Sequence, residues 1–253
     1  MRRIALSVIA CWLFAVTPAG ASHRPVVCSA PAETARLNSS LPNTARAIRH
    51  GQALTVVAIG SSSTAGVGAS DEAHAYPARL ADEMRRRWPL LSITVVNKGV
   101  GGETAEQMLA RFGRDVLPFR PQLVIWQMGS NRALKGGSLA QYAETVRRGV
   151  RRLRAARSDV VLMDPQYAPR VIAKPMHRRI LNAIGTIGDD LKVAVFHRFA
   201  LMRHWVTSGE HRIEDMIARD RLHMNDASYG CIARLLADAL AQAARTGGSL
   251  TAN

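Results

Sequence analysis

Five short apolar runs rich in β-branched residues limit what this chain can become. They occupy residues 54–59, 91–96, 123–128, 160–163 and 193–196. Between them, apolar residues recur at helical spacing. Tyr76 to Trp88 reads as a helix, with Pro77 in its first turn and Leu80, Met84 and Trp88 four apart. A second helix is expected from about 104 to 112, with Gly113 at its end. Leu139, Tyr142, Val146, Val150 and Leu153 mark one face of a long third. A fourth runs from 174 to about 187. A last one runs from about 227 to 245, capped by Asn225 or Asp226 and ended by Gly247. Residues 198–216 show no clear period. Nearly continuous apolar runs suit strands buried on both faces, as in a parallel sheet, and regular alternation puts helices on both sides of it. The expectation is an α/β fold: a three-layer α/β/α sandwich on a five-stranded parallel sheet. It forms one domain over residues 51–247, preceded by a polar, Pro/Ala-rich lead-in at 22–50.

Residues 1–21 stand outside this rhythm. A basic start at Arg2 and Arg3, an apolar run from Ile4 to Val16 and the small residues Ala19-Gly20-Ala21 read as a secretory signal peptide cleaved after Ala21. The apolar run is too short for a bilayer, which needs about 20 helical residues. No later segment is long and apolar enough to cross one. The mature protein is therefore expected outside the cytoplasm, periplasmic or secreted. Cys28 and Cys231 remain in it, and an oxidising compartment favours a disulfide between them.

The formal charge is +15, with much of the excess in Arg147, Arg148, Arg151, Arg152, Arg154 and Arg157. Such a charge favours anionic partners in general. No nucleic-acid recognition motif accompanies it, so these arginines read as a solvated helix face that leaves room for an anionic substrate.

Ligands of an open parallel sheet gather outside the carboxyl ends of its strands. After the first strand comes Gly60-Ser61-Ser62-Ser63-Thr64. After the second comes Gly99-Val100-Gly101-Gly102, and after the third Gly129-Ser130-Asn131. Asp220-Arg221-Leu222-His223 precedes the last helix. Hydroxyl, imidazole and carboxylate are the parts of a nucleophilic acyl-transfer site. A serine needs a base to take its proton, and a carboxylate can fix the tautomer of that base. Backbone N–H groups and an Asn amide suit a developing oxyanion. By residue type alone, Ser61 and Ser63 rival Ser62, and Gly99 and Gly101 rival Gly102.

In this order the four blocks resemble the SGNH/GDSL hydrolase family, over about residues 54–240. Ser62, Gly102, Asn131 and His223 match its four name-giving positions, and Asp220 matches its triad acid. The resemblance implies a flavodoxin-like sheet and hydrolysis of carboxylic esters through an acyl-enzyme at Ser62, with no cofactor. It implies an oxyanion hole shared by Ser62, Gly102 and Asn131. Acylated or acetylated envelope glycans and short-chain lipid esters are the expected substrates. A non-catalytic glycan-binding module of the same fold is the alternative. Two positions depart from the family pattern: Ser61 and Arg132 stand where Asp is usual. Arg132 is a candidate to attract an anionic group of the substrate. Gln166 and Tyr167, after the fourth strand, are candidate pocket walls. His197, His204 and His211 match no helical metal-ligand spacing, so no metal is expected. Oligomeric state is not legible.

Overall fold

A computed structural model of the chain describes residues 28–246. The residues read as a signal peptide and Gly247, expected to end the last helix, lie outside the described residues. The elements run α1 (Pro42–Arg49), β1 (Leu54–Gly60), α2 (Ser62–Ala65), α3 (Tyr76–Arg87), β2 (Ile93–Gly99), α4 (Ala105–Ala110) and α5 (Phe112–Asp115). There follow β3 (Leu123–Gln127), α6 (Ser130–Lys135), α7 (Leu139–Ala155), β4 (Asp159–Met163), α8 (Pro169–Ile172), α9 (Met176–Leu191), β5 (Ala194–Phe196), α10 (Arg198–Thr207) and α11 (Asp226–Thr246). All strand pairs are parallel, in the order β2-β1-β3-β4-β5. This is the flavodoxin-like order, whose switch point lies at β1 and β3.

Alternation along each strand builds the three layers. Val56, Ala58, Ile125 and Met163 face one core with Leu80 and Met84 of α3, Trp205 of α10 and Leu236 of α11. Val57, Ile59, Val124 and Leu162 face the other with Met108, Phe112, Val146 and Ile184. Period-two strands thus feed two cores, each closed by helices with one apolar stripe.

The expected elements are present, with shifted edges. β2 starts two residues late because residues 89–92 make the turn out of α3, where Leu91 N–H donates to Trp88. It then continues through Asn97 to Gly99, paired with Ala58 to Gly60. The second expected helix is broken into α4 and α5. Residues 42–49, within the segment read as a lead-in, form α1. Its first turn is capped from afar: the buried Asp159 carboxylate accepts from Thr44 N–H at 2.7 Å and from the Asn43 amide at 3.0 Å. The stretch without clear period holds α10. Asn225 caps α11, accepting from Ser228 N–H at 3.1 Å. Cys28 and Cys231 are joined by a disulfide that ties the first described residue to α11.

The α4–α5 break has a cause. Arg111, 7% exposed, turns inward and donates to the carbonyls of Gly60 (3.3 Å) and Lys98 (2.8 Å), where β1 and β2 end. It also pairs with Glu103 at 2.7 Å and Asp115 at 3.1 Å. Removing one member of such a group strands the others, so Arg111→Leu is expected to cost about 3–5 kcal/mol in urea unfolding. Hydrogen bonds from Arg114 hold the Asp115 carboxyl down to about 2, against burial and with help from Arg111. A carboxyl depressed in the fold stabilises it above its unfolded value and loses that contribution as pH falls through the folded one. Asp115→Asn should therefore flatten the stability loss between about pH 4 and about 2; an unchanged acid limb would refute this coupling.

Candidate active site

The carboxyl ends of β1 and β3, at the switch point, carry the first and third blocks. Gly60 ends β1, and the chain turns at Ser61 into α2, whose first residue is Ser62. An N–H in a first helical turn has no acceptor within its helix. Of the three adjacent serines, Ser61 and Ser63 are buried and committed elsewhere. Ser61 donates through N–H and Oγ to Gln127 Oε1, at 3.0 and 3.1 Å, and Ser63 Oγ donates to Gln166 Oε1 at 3.3 Å. Ser62 is half-buried, and its Oγ lies 2.7 Å from His223 Nε2.

His223 comes from a hairpin-like loop before α11, closed by a bridge between Ile217 and Met224 and by Ala218 N–H donating to His223 O at 2.8 Å. Arg221 turns the loop in the left-handed region, φ 61°. The Asp220 carboxylate then accepts from the N–H groups of Leu222 and His223, both at 2.9 Å, and its other oxygen takes a short hydrogen bond from His223 Nδ1. Burial pushes the Asp220 carboxyl up, but the His223 N–H, its ring and the Leu222 N–H outweigh this and hold it below the ordinary range. An ionised carboxylate accepts only, so Nδ1 carries the ring hydrogen and Nε2 is left to accept from Ser62 Oγ–H. The two halves of the site press together at Gly68, φ 94°, where any side chain would meet Met224 O at 2.4 Å and His223 Cβ at 2.9 Å.

Gly102 and Asn131 arrive from the ends of β2 and β3. Gly102 is exposed at φ 77°, with open space where a Cβ would stand. Asn131 is half-buried, and one of its two amide hydrogens is given to Glu103 O at 2.9 Å. That bond joins the β2 and β3 loops and leaves a second hydrogen for a ligand. Lys135, four residues on, donates from Nζ to Gly102 O at 2.9 Å. Sequence reasoning passed over it; its placement one helical turn from Asn131 was the available signal.

Of the expected substrate contacts, Gln166 is corrected and Arg132 has partners within the protein. Arg132 is engaged in an ion pair with Glu106 and donates to Gly136 O at 3.1 Å, so its charge is already compensated. Gln166 is 1% exposed and lies beneath the loops, not on a pocket wall. Tyr167 is half-buried, edge-on to Phe199 at 5.2 Å. It lines a surface cavity of about 630 Å³ with Pro169, Ile172, Ile213, Ile217 and Arg221. His197 lies 3.6 Å from Asp164, His204 contacts Ser29, and His211 packs edge-on to Trp205. Among the described residues no helix is long and apolar enough to cross a membrane.

Comparison with known proteins finds relatives among esterases. A thioesterase 1/protease 1/lysophospholipase L1 of Escherichia coli K12 is 31% identical over 109 residues, 43% of this chain and 50% of that protein. An acetylxylan esterase of Geobacillus stearothermophilus is 28% identical over 122 residues, 44% and 55% of the two chains. The matches thus span about half the length of these curated relatives. A two-domain esterase active on acetylated mannans superposes with a TM-score of 0.71 at 20% identity, over 83% of this chain and 55% of that one, a likeness of fold. The model of the Non-GDSL lipase-like family matches residues 27–246. With that match over all of the described residues, the chain belongs to the Non-GDSL lipase-like family, within the wider SGNH/GDSL hydrolases.

Proposed function

We propose that this protein is an exported serine esterase that works through an acyl-enzyme at Ser62. The observation that carries the reading is the unbroken chain of hydrogen bonds from Asp220 through His223 to Ser62 Oγ. In the first step Ser62 Oγ attacks the ester carbonyl as His223 Nε2 takes its proton, and the Asp220 carboxylate stabilises the imidazolium. The tetrahedral oxyanion lies against the N–H groups of Ser62 and Gly102 and the free amide hydrogen of Asn131. His223 then gives its proton to the departing alkoxide, and the C–O bond breaks to leave the acyl group on Ser62. A water, deprotonated by the same His223, repeats the sequence and releases the acid.

Acyl or acetyl groups on envelope glycans, or short-chain lipid esters, are the proposed substrates. Support comes from the exposed, solvent-facing oxyanion side at Gly102 and from relatives named as esterases of acetylated glycans. The signal-like leader and the Cys28–Cys231 disulfide support export.

A fluorophosphonate probe, which reacts with activated serines, is expected to label Ser62 in the purified mature protein. His223→Ala should abolish the label, because no other base neighbours Ser62 Oγ among its hydrogen-bond partners. Absence of label on folded wild-type protein would refute the esterase reading and favour the glycan-binding alternative.

A further inference from the structure

The blocks that supply nucleophile and oxyanion donor come from the ends of β1 and β3, and the base comes from the loop before α11, 161 residues from the nucleophile. One buried side chain touches all three. Gln166, 1% exposed, accepts through Oε1 from Ser63 Oγ (3.3 Å), Ser130 Oγ (2.7 Å) and Arg198 Nη2 (3.1 Å). Its Nε2 donates to Leu222 O at 3.0 Å. Ser63, Ser130 and Leu222 are the covalent neighbours of Ser62, Asn131 and His223.

The orientation of this amide is fixed by its partners. Serine hydroxyls can donate or accept, so they would tolerate either end of it. A guanidinium only donates and a carbonyl only accepts. Arg198 therefore demands Oε1 on its side, and Leu222 demands Nε2 on the other. A rotated amide would set Nε2 against Nη2 and Oε1 against the Leu222 carbonyl. Arg198 is itself anchored: it is fully buried at the start of α10 and donates from Nε to Asp164 O at 3.0 Å. The Asp164 carboxylate accepts from Phe199 N–H at 2.8 Å, which pins the same helix start. Nη1 of Arg198 has no hydrogen-bond partner among the described residues. A charged side chain kept in the interior on such terms costs stability, and its gain here is a polarised amide with a stronger Nε2–H donor.

We propose that Gln166, oriented by Arg198, is the positioning residue that holds Ser62, Asn131 and His223 in mutual register. The proposal rests on the esterase reading above. It gives a role to two buried polar residues that touch no solvent-facing part of the site.

The test compares Gln166→Leu and Gln166→Glu with wild type, using fluorophosphonate labelling of Ser62 and steady-state hydrolysis of p-nitrophenyl acetate. Leucine removes all four bonds. Glutamate keeps an acceptor for Ser63, Ser130 and Arg198 but cannot donate to Leu222 O. Loss of register acts on the step rather than on binding of a small ester. Gln166→Leu should thus lower kcat and the labelling rate together by about a hundredfold, with KM within about threefold. Gln166→Glu should recover part of this, to a loss of about tenfold. A merely structural role would lower the unfolding temperature and leave kcat per folded molecule unchanged. Wild-type protein that labels, with Gln166→Leu labelling within threefold of it, would overturn the positioning role and leave the esterase reading intact. Should the leucine variant not fold, Gln166→Glu labelling at the wild-type rate does the same. Unlabelled wild type overturns both.

Discussion

Ser62→Ala protein is expected to hydrolyse p-nitrophenyl acetate about 10⁴- to 10⁶-fold more slowly than wild type, with an unfolding temperature close to the wild-type value. The catalytic side of this follows from the surroundings of the hydroxyl. Only Ser62 presents its Oγ to the imidazole, while the hydroxyls on either side are buried and spent on Gln127 and Gln166. Neither can swing into the vacated place without breaking a buried hydrogen bond, at a cost of about 1–3 kcal/mol. The stability side follows from how little this hydroxyl holds in place. Among the described residues Ser62 Oγ makes one hydrogen bond, to a ring that reaches solvent, and such a bond is worth about 1 kcal/mol net. Residual turnover above the uncatalysed rate is still expected, because the N–H groups and the Asn131 amide remain to meet an oxyanion formed by water attack. Turnover above about a tenth of wild type would place the nucleophile elsewhere. Retained turnover together with a lowered unfolding temperature would assign Ser62 to the fold alone.

The parts of this site legible in the sequence were those where chemistry and position coincide. A serine, a glycine, an asparagine and a histidine after successive apolar runs can be placed on one sheet edge without knowing any contact, because a parallel sheet puts every strand end on the same side. The strands themselves were legible because β1, β3, β4 and β5 are buried on both faces and mainly apolar, while the edge strand β2 is only partly buried. Gln127 breaks that rule at the end of β3, and its oxygen receives Ser61 and Thr64. A glutamine inside an otherwise apolar strand was the visible hint of a buried network. Gln166 and Arg198 carried no such hint. Each stands just past a strand end, where polar residues are ordinary, and only the fold reveals that both are sealed beneath the loops. The same ambiguity hid the partner of Arg132, Glu106, which sits 26 residues earlier on another helix. α10 escaped notice for a different reason. Its buried face carries Arg198 beside Leu201, Met202 and Trp205, and the apolar Phe199, Ala200 and Val206 spread round the helix, so no apolar stripe stands out at helical period.

Reduction of the Cys28–Cys231 bond is the second large effect. The two cysteines are 203 residues apart, so the bond closes almost the whole described chain into one loop. A cross-link of this span removes much of the freedom of the unfolded chain, and its loss is expected to cost about 3–5 kcal/mol. Two features of the fold make most of that recoverable in the native state. The Cα atoms already lie 5.6 Å apart, and the residue after Cys28 is held independently: Ser29 O accepts from Trp205 Nε1 at 2.6 Å, and Ser29 N–H donates to Glu210 at 2.9 Å. The fold therefore brings the cysteines together, and the bond adds stability chiefly by restricting the unfolded ensemble. Urea unfolding of Cys28→Ser/Cys231→Ser protein should show a lower midpoint together with a larger m value, since an unfolded chain without the cross-link exposes more surface. A lower midpoint at constant m would instead locate the effect in native contacts, with the first residues peeling from α10 and α11. Identical curves would mean that residues 28–41 detach before the rest unfolds, leaving the bond to tether a segment that contributes little to global stability. Activity separates these cases further. α11 begins three residues after His223, so a loss confined to the unfolded state leaves kcat untouched, while movement of α11 would shift His223 from Ser62 and reduce it.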